Sequence, residues 1–294
     1  MKKLLVLFSL VIIGFVYLTG QKTDESPRWY YNPQMIAAQK NGDQLPQATD
    51  IGVKSWTTDS RVVYTPQQTL VINPSIRVYP SLNQQCEIYM TRDPNNQNIL
   101  YVASQNIRGS SINAGTYVST DGGNNWYGTD TMAAPSQADQ RGDPGPAIDK
   151  NGRFIFTHLT STTNFGSLKG MGSNYSTNKG VTWSSTFDVV LDANCDKNLA
   201  NTDNSPSSPF YGNTYMAWTS FGTTPGNGRF SRTTDGGVSW STPIVLNATP
   251  TGHNAQGHDV VTGPNGQVYV VWTAGVSSSP FTEDFVGFAK STNG

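Results

Sequence analysis

The first candidates for chemistry in this sequence are carboxylate and amide side chains that recur at an almost constant spacing. Asp121 lies in the octet STDGGNNW (residues 119–126), related octets follow at 176–183 and 233–240, and a shortened copy stands at 291–294. The acid or amide positions 121, 178, 235 and 293 are 57, 57 and 58 residues apart. A carboxylate beside a hydroxyl group could act as a general acid or base, or it could accept hydrogen bonds from the backbone of a turn.

The residue types in the octets favour the structural role. Asn178 and Asn293 replace the acid in two copies, and an amide keeps an oxygen that accepts hydrogen bonds but loses carboxylate chemistry. Gly123 can adopt the positive φ of a tight turn, and Trp126 can bury a large ring beside it. We therefore predict that the following residues brace hairpins: Ser119, Asp121, Gly123, Trp126, Ser176, Asn178, Gly180, Trp183, Thr233, Asp235, Gly237, Trp240, Ser291 and Asn293.

Alternating runs upstream of the octets indicate the strands that must position them. In residues 93–104, 149–160, 208–219 and 263–274, a turn is followed by aromatic or β-branched residues at every second position. Charged residues make up only 13% of the chain and there are 29 glycines, which fits short strands and turns better than helices. Roughly four strands fit into each repeat, so we predict an all-β fold, a β-propeller of four-stranded blades.

The octet pattern S/T-x-D-x-G-x-x-W resembles the Asp-box, or bacterial neuraminidase repeat, of the sialidase superfamily. The resemblance covers residues 87–294 and implies a propeller that is six-bladed when complete. It also implies that the octets lie between the third and fourth strands of each blade, away from the substrate face. Residues 51–294 are expected to form about four blades of a propeller that is incomplete at its C-terminus. Proteins with this repeat include exo-α-sialidases, other glycoside hydrolases, sorting receptors and non-catalytic proteins, so the repeat leaves the activity open.

Charged residues are expected where the innermost strands of the blades begin. Alignment of the repeats places Glu87, Asp143, Lys197 and Gly257 at one equivalent position, with His258 beside the last. These side chains could form a polar ring around the channel, with Glu87 and Asp143 as candidate catalytic carboxyl groups and Lys197 and His258 as candidate ligand-binding groups. Alternatively, they are solvated strand ends that pair between blades.

The sialidase resemblance further implies three arginines that grip a carboxylate, an aspartic acid, and a tyrosine activated by a glutamate. The first arginine of that family lies in an Arg-Ile-Pro motif, and its nearest counterpart here is Arg77 in SIRVYPS, a further candidate ligand-binding residue. The remaining groups are expected on blades beyond residue 294. An exo-α-sialidase or related glycoside hydrolase activity is therefore an open alternative.

One stretch has the spacing of a calcium-binding loop. Its oxygen-bearing residues at loop positions 1, 3, 5 and 12 are Asp192, Asn194, Asp196 and Asp203. Lys197 occupies the position that requires glycine in such a loop, so a polar loop without metal is the favoured interpretation, and no cofactor is expected. Cys86 and Cys195 fall on non-adjacent blades and are expected to be free thiols.

The N-terminus has the pattern of an export signal. Two lysines precede an apolar run within residues 1–20, and a polar leader follows at 21–50; an uncleaved membrane anchor is the alternative. The net charge of −1 gives no support for a nucleic-acid partner, and no later segment could span a bilayer. We interpret the chain as a secreted or cell-surface, monomeric propeller that recognises extracellular glycan or protein. A glycosidase and a structural module of a multidomain surface protein are the alternatives.

Overall fold

The chain divides into two compact units, Met1–Arg77 and Val78–Gly294. The computed structural model describes the following residues: 61–64, 69–72, 76–81, 83–108, 111–132, 142–162, 167–222, 227–246 and 250–294. The predicted export signal (1–20) and polar leader (21–50) lie outside these described residues. No helix within them is long and apolar enough to serve as a membrane span.

The N-terminal unit contains a small antiparallel sheet. Strands β1 (Arg61–Tyr64) and β2 (Thr69–Ile72) pair with each other, with Arg61 opposite Ile72 and Tyr64 opposite Thr69. The alternating runs in this part of the sequence therefore form a hairpin of their own. Their sheet is separate from the four sheets of the second unit.

The second unit consists of four antiparallel sheets that follow one another along the chain. In each sheet the strands lie side by side in chain order. The first three sheets have four strands and the fourth has three. The strands are β3 (Gln84–Arg92), β4 (Leu100–Arg108), β5 (Ser111–Ser119) and β6 (Tyr127–Thr129); β7 (Gly145–Ile148), β8 (Phe154–Ser161), β9 (Leu168–Ser176) and β10 (Phe187–Val190); β11 (Cys195–Thr202), β12 (Thr214–Ser220), β13 (Asn227–Thr233) and β14 (Ile244–Val245); and β15 (His253–Thr262), β16 (Val268–Val276) and β17 (Glu283–Ser291).

Neighbouring sheets pack face to face through their aromatic residues. Tyr101 of β4 stacks on Phe154 of β8, with ring centroids 4.9 Å apart, and Trp183 packs beside both. Tyr215 of β12 lies in the equivalent cluster between the third and fourth sheets, together with Trp272. A fully buried side chain of this size stabilises the fold by roughly 1.5–3 kcal/mol, so these interfaces account for much of the cohesion between the sheets.

The first strands of the sheets contact one another in chain order, β3 with β7, β7 with β11, and β11 with β15. This radial arrangement, with the first strand of every sheet innermost, is that of a β-propeller. The four sheets do not close into a ring, so the propeller is partial. The predicted all-β propeller fold is confirmed, and the six-bladed complete form stays a prediction.

Candidate functional site

The four aligned positions share an unusual backbone conformation. Glu87, Asp143 and Lys197 have φ angles of 50°, 48° and 40°, and Gly257 has a φ of 67°. The pairing register of β3 shifts between residues 86 and 89, that of β11 between 196 and 198, and that of β15 between 256 and 259. Three of the four positions therefore lie in β-bulges, which redirect side chains and are frequent beside active sites.

This conformation is costly for residues that carry a side chain. Left-handed backbone costs an L-residue on the order of 1–3 kcal/mol, and such strain persists where the surrounding contacts enforce it. Here the Lys197 amide donates to Asp143 Oδ2 at 2.9 Å, and Asn198 Nδ2 donates to the Asp143 carbonyl oxygen. The backbone of β11 is thus tied directly to the residue that opens the second sheet.

The same backbone brings three charged side chains together. Lys197 Nζ lies 3.0 Å from Glu87 Oε2, and the carboxyl groups of Glu87 and Asp143 are close enough to shift each other's pKa. The Lys197 ammonium also stands 5.1 Å from the ring centroid of Tyr89. We call Glu87, Asp143 and Lys197 the mouth cluster. Its members come from three different sheets, so it spans the innermost edge of the partial propeller.

The carboxyl groups of the mouth cluster differ in protonation. Burial, the hydrogen bond to Glu87 and the negative charge of Glu87 together raise the pKa of Asp143 to about 8. Burial also opposes ionisation of Glu87, but the hydrogen bond from Asp143 and the Lys197 ammonium outweigh it and lower the pKa of Glu87. Near neutral pH, Asp143 therefore carries a proton that it can donate, while Glu87 is an ionised acceptor.

Residues that the sequence did not single out support this cluster. Gln105 Oε1 accepts a hydrogen bond from the Asp143 amide at 3.3 Å. Thr157 Oγ1 lies 2.6 Å from Asn198 Oδ1 and 3.0 Å from the Gly145 carbonyl oxygen. The sequence could have indicated these supporting residues through polar side chains at strand positions that the alternation assigns to the interior. Thr157, which is fully buried, is such a residue.

The fourth aligned position is a glycine that faces solvent. Gly257 is exposed, and apart from its two chain neighbours no heavy atom lies within 4 Å of the point where its Cβ would stand. Its neighbour Gln256 donates through Nε2 to Asp196 Oδ2 at 2.9 Å, which connects the fourth sheet to the third beside Lys197. The innermost edge thus carries two acids, one cation and one exposed glycine at equivalent positions.

His258 does not belong to the ligand-accessible surface, and its assignment as a ligand-binding candidate is wrong. The bulge in β15 turns its ring into the interface between the third and fourth sheets, where it is fully buried and stacks on Trp272 at 5.8 Å. Nδ1 lies 3.4 Å from Thr219 Oγ1. Burial lowers the pKa of His258 to about 4, so the ring is a neutral core residue.

The calcium-loop spacing does not correspond to a loop. Residues Cys195–Thr202 form strand β11, so Asp192 and Asp203 stand beyond its two ends, which are roughly 23 Å apart at about 3.3 Å per residue. Asp192 accepts from Ser220 Oγ at 2.6 Å, and Asp203 accepts from the Ser205 amide at 3.1 Å. The described residues contain no group of three or more His, Cys, Asp or Glu side chains that could hold a metal.

The octets form turns at the ends of the third strands. Ser119 Oγ donates to Asp121 Oδ1 at 2.9 Å and accepts from the Gly123 amide at 2.8 Å, and the Asn125 amide donates to Asp121 Oδ1 at 2.9 Å. These donors, chiefly the backbone and side chain of Asn125, lower the pKa of Asp121 to about 2. Gly123 has a φ of 94°, which permits the backbone to turn.

The other octets repeat this geometry on separate sheets. Asn178 Oδ1 accepts from Ser176 Oγ and from the Thr182 amide, both at 2.9 Å. Asp235 and Asn293 accept from the hydroxyl groups two residues before them, at 2.7 and 2.9 Å. The acid and amide groups therefore never meet in one pocket.

The octets also connect neighbouring sheets. Tyr127 Oη donates to the Lys179 carbonyl oxygen, and Arg153 Nη1 donates to that of Asp235, both at 2.9 Å. Trp183 is buried between the first two sheets. The octets at 176–183 and 233–240 thus brace their own hairpins and also hold the preceding sheet.

The sequence also singled out Arg77 and the two cysteines. Arg77 is half-buried and ends the N-terminal unit. Cys86 and Cys195 are both free. Burial raises the pKa of the Cys195 thiol to about 12 and also raises that of Cys86, so neither is a reactive thiolate at neutral pH.

No family model matches the sequence, and no curated protein is similar enough to match. Solved structures do share the fold. An α-L-arabinanase from Penicillium chrysogenum, complexed with arabinobiose, has a TM-score of 0.54 and 14% identity over 71% of this chain and 63% of its own. The Hadza microbial sialidase Hz136 has a TM-score of 0.53 and 15% identity over 76% and 50%.

A protein of unknown function from Dyadobacter fermentans is also similar, with a TM-score of 0.52 and 14% identity over 83% of this chain and 76% of its own. The chain shares the β-propeller fold of these proteins. At these identities the likeness concerns the fold alone. The chain spans about half the length of the sialidase and less than two thirds of the arabinanase.

Proposed function

We propose that the innermost edge of this propeller binds an extracellular glycan. The proposal rests on the mouth cluster. Glu87, Asp143 and Lys197 come from three sheets, each has a strained backbone with positive φ, and their side chains contact one another. Strained backbone at equivalent positions of successive sheets indicates selection for what the side chains do.

The chemistry of the cluster suits sugar hydroxyl groups. Ionised Glu87 accepts hydrogen bonds, and the half-buried ring of Tyr89 lies beside the Lys197 ammonium. Charge-assisted hydrogen bonds combined with an aromatic surface are how proteins fix the orientation of a polar ligand. A protein ligand at this surface is the alternative occupant.

Hydrolysis by the Glu87 and Asp143 pair fits the geometry less well. The two carboxyl groups of a glycosidase flank the scissile bond and stand roughly 5 to 9.5 Å apart. Here Asp143 is buried and each carboxyl group shifts the pKa of the other, so the pair lies close together rather than open to a glycosidic oxygen. Binding is therefore the better-supported function of this pair.

We further propose that the chain is exported and acts outside the cytoplasm, in keeping with the predicted signal at residues 1–20. The four octets support membership of the Asp-box propellers of the sialidase superfamily. Each octet has the serine or threonine hydroxyl bound to the acid or amide that this repeat requires.

A glycan array tests the binding function. Lys197→Met removes the ammonium that pairs with Glu87 but keeps most of the side-chain stem, and we expect it to weaken glycan binding about tenfold, or 1.4 kcal/mol. The matched control is Lys169→Met, which breaks the Lys169–Asp188 ion pair on the outer strands of the second sheet. The proposal would be refuted if neither the parent nor the Lys169→Met control bound any glycan. It would also be refuted if Lys197→Met and Lys169→Met lost glycan affinity equally.

Glycoside hydrolysis is the second candidate, and one observation favours it. Asp143 holds a proton near neutral pH, as the general acid of a glycosidase must. Assay on a panel of nitrophenyl glycosides and a fluorogenic sialoside, with Asp143→Asn beside Asp188→Asn, separates the two functions. Turnover that disappears only in Asp143→Asn would establish hydrolysis.

A further inference from the structure

We infer that the chain assembles head to tail, with the last sheet of one copy packed against the first sheet of a second copy. The contact joins two surfaces. The trailing face consists of Tyr269, Val271, Val286 and Phe288 on the fourth sheet, and the leading face consists of Ile88 and Met90 on the first. The inference is independent of the proposed glycan binding, because neither surface includes a member of the mouth cluster.

The trailing face repeats a surface that the chain buries elsewhere. Tyr215 and Phe230 form a stacked ring pair on the third sheet, with centroids 5.7 Å apart, and both are buried against the fourth sheet. Tyr269 and Phe288 form the same pair on the fourth sheet, with centroids 6.1 Å apart, but Phe288 is 61% exposed. Within the part of the chain that the structure describes, the fourth sheet therefore carries half of an inter-sheet interface and no sheet covers it.

The leading face is the matching half of such an interface. At the aligned positions of the fourth sheet, His258 and Val260 are buried between the third and fourth sheets. Ile88 and Met90 of the first sheet are instead 56% and 65% exposed. The first sheet thus presents to solvent the positions that receive the preceding sheet elsewhere in the propeller. Large exposed apolar residues that cluster in this way mark interaction surfaces.

The existing interfaces show which strands meet in the contact between copies. Strands β12 and β13 of the third sheet contact β15, the first strand of the fourth. The equivalent contact joins β16 and β17 of one copy to β3 of the next, where Ile88 and Met90 lie. Farther out on the first sheet, Tyr117 is in register with Met90 through Val102, and Tyr79 packs on its ring at 5.0 Å. The part of the first sheet that stays open is therefore the part that this contact needs.

A second copy supplies the partner that fits the trailing face best. A trailing face against a leading face reproduces the arrangement of two successive sheets, and one chain carries both faces open. Two trailing faces, in contrast, have no counterpart among the interfaces within the chain. The head-to-tail contact is heterologous, so its repetition gives a ring if the rotation closes and a longer array if it does not.

Two variants of the full chain, each with one face disabled, test the inference. Ile88→Lys with Met90→Lys charges the leading face, and Val286→Lys with Phe288→Lys charges the trailing face. In sedimentation velocity over a range of concentrations, we expect the parent to associate and each variant alone to be monomeric. An equimolar mixture of the two variants retains one intact face of each kind, so we expect a complex of twice the monomer mass. Lysines in the octet turns, at the exposed Val181 and Val238, form the control, which should associate like the parent.

The mixture separates this contact from other modes of association. A parent that stays monomeric at every concentration would overturn the inference, and so would a mixture of folded variants that stays monomeric. Association that survives Ile88→Lys with Met90→Lys but not Val286→Lys with Phe288→Lys would also overturn it, because two trailing faces would then be in contact. Melting temperatures close to that of the parent, as expected for exposed positions, establish that the variants are folded.

A cross-linking measurement does not depend on the charge variants. Benzoylphenylalanine is placed at position 288 of one copy, which is mixed with an isotope-labelled parent chain and irradiated. We expect mass spectrometry to find cross-links to the labelled peptide that contains Ile88 and Met90. Cross-links to the labelled β17, cross-links only to other segments, or none between copies would overturn the inference.

Discussion

At the scale of the residue, the same side chain serves opposite purposes in two environments. The Asp121 carboxylate is exposed and accepts hydrogen bonds, chiefly from the backbone and side chain of Asn125, which lower its pKa to about 2. Asp143 is buried beside another acid, which raises its pKa to about 8. The replacement of aspartate by asparagine in two octets predicted the bracing role, because an amide oxygen can make the same bonds. The burial of His258 could not be predicted, since it follows from a bulge.

The octet at 233–240 allows the bracing role to be separated from charge. In Asp235→Asn the amide can accept from Thr233 and Ser239 as Asn178 accepts from its own turn, so we expect an almost unchanged melting temperature. Asp235→Ala removes the acceptor, and a loss of about 1 kcal/mol should lower the melting temperature by about 2–4 °C. Differential scanning calorimetry distinguishes them; equal loss in both variants would show that the charge matters.

Asp143 makes stability depend on pH in a defined direction. Its pKa is raised in the folded chain, so the folded state retains a proton that the unfolded state releases above about pH 4. The free energy of unfolding should therefore fall as the pH rises from about 4 to about 8, and level off above that range. Urea denaturation of the parent and of Asp143→Asn across this range gives the contribution by difference. A difference that grows in the parent's favour as the pH rises would contradict the assignment.

At the scale of the element, the alternation predicted the strands and their inward faces, and the repeat spacing predicted where one sheet ends and the next begins. The left-handed conformation of Glu87, Asp143 and Lys197 could not be predicted. Residues with side chains avoid it, so only contacts between sheets can enforce it. The repeat spacing predicted which positions are equivalent. It could not predict the hydrogen bonds of Asp143 to Gln105 and Asn198, because these form between sheets.

The packing between sheets can be tested with two phenylalanines. Phe154 is fully buried against Tyr101, whereas Phe288 on β17 is 61% exposed. We expect Phe154→Ala to lower the free energy of unfolding by about 3–5 kcal/mol, and Phe288→Ala to change it by less than about 0.5 kcal/mol. Chemical denaturation followed by tryptophan fluorescence measures both. Comparable losses would mean that the interface between the first two sheets is not the source of cohesion.

At the scale of the whole molecule, the four sheets form an arc whose last sheet presents an uncovered apolar face. Val286 and Phe288 are 81% and 61% exposed, although Met171 and Phe230, at the equivalent positions of earlier third strands, are buried by the next sheet. The repeat predicted that residues of the second unit form four sheets. It could not predict what covers this face, because that depends on contacts outside the four sheets.

The sequence predicts a monomer, but the exposed Val286 and Phe288 should make the chain self-associate. Val286→Lys combined with Phe288→Lys places two charges on it, and we expect the pair to shift sedimentation towards monomer with little change in melting temperature. The control is Val181→Lys with Val238→Lys, two exposed valines in the octet turns. Unchanged self-association in the β17 variant would show that this face is not responsible.

The most direct test of the account compares one carboxylate of the mouth cluster with one of the octets. Glu87→Gln and Asp235→Asn make the same chemical change, at the innermost edge and at a turn between outer strands. Isothermal titration with the best glycan from the array should show binding weakened about tenfold or more in Glu87→Gln and unchanged in Asp235→Asn. Full binding in Glu87→Gln, with loss in Asp235→Asn, would contradict the claim that the mouth cluster binds and the octets brace.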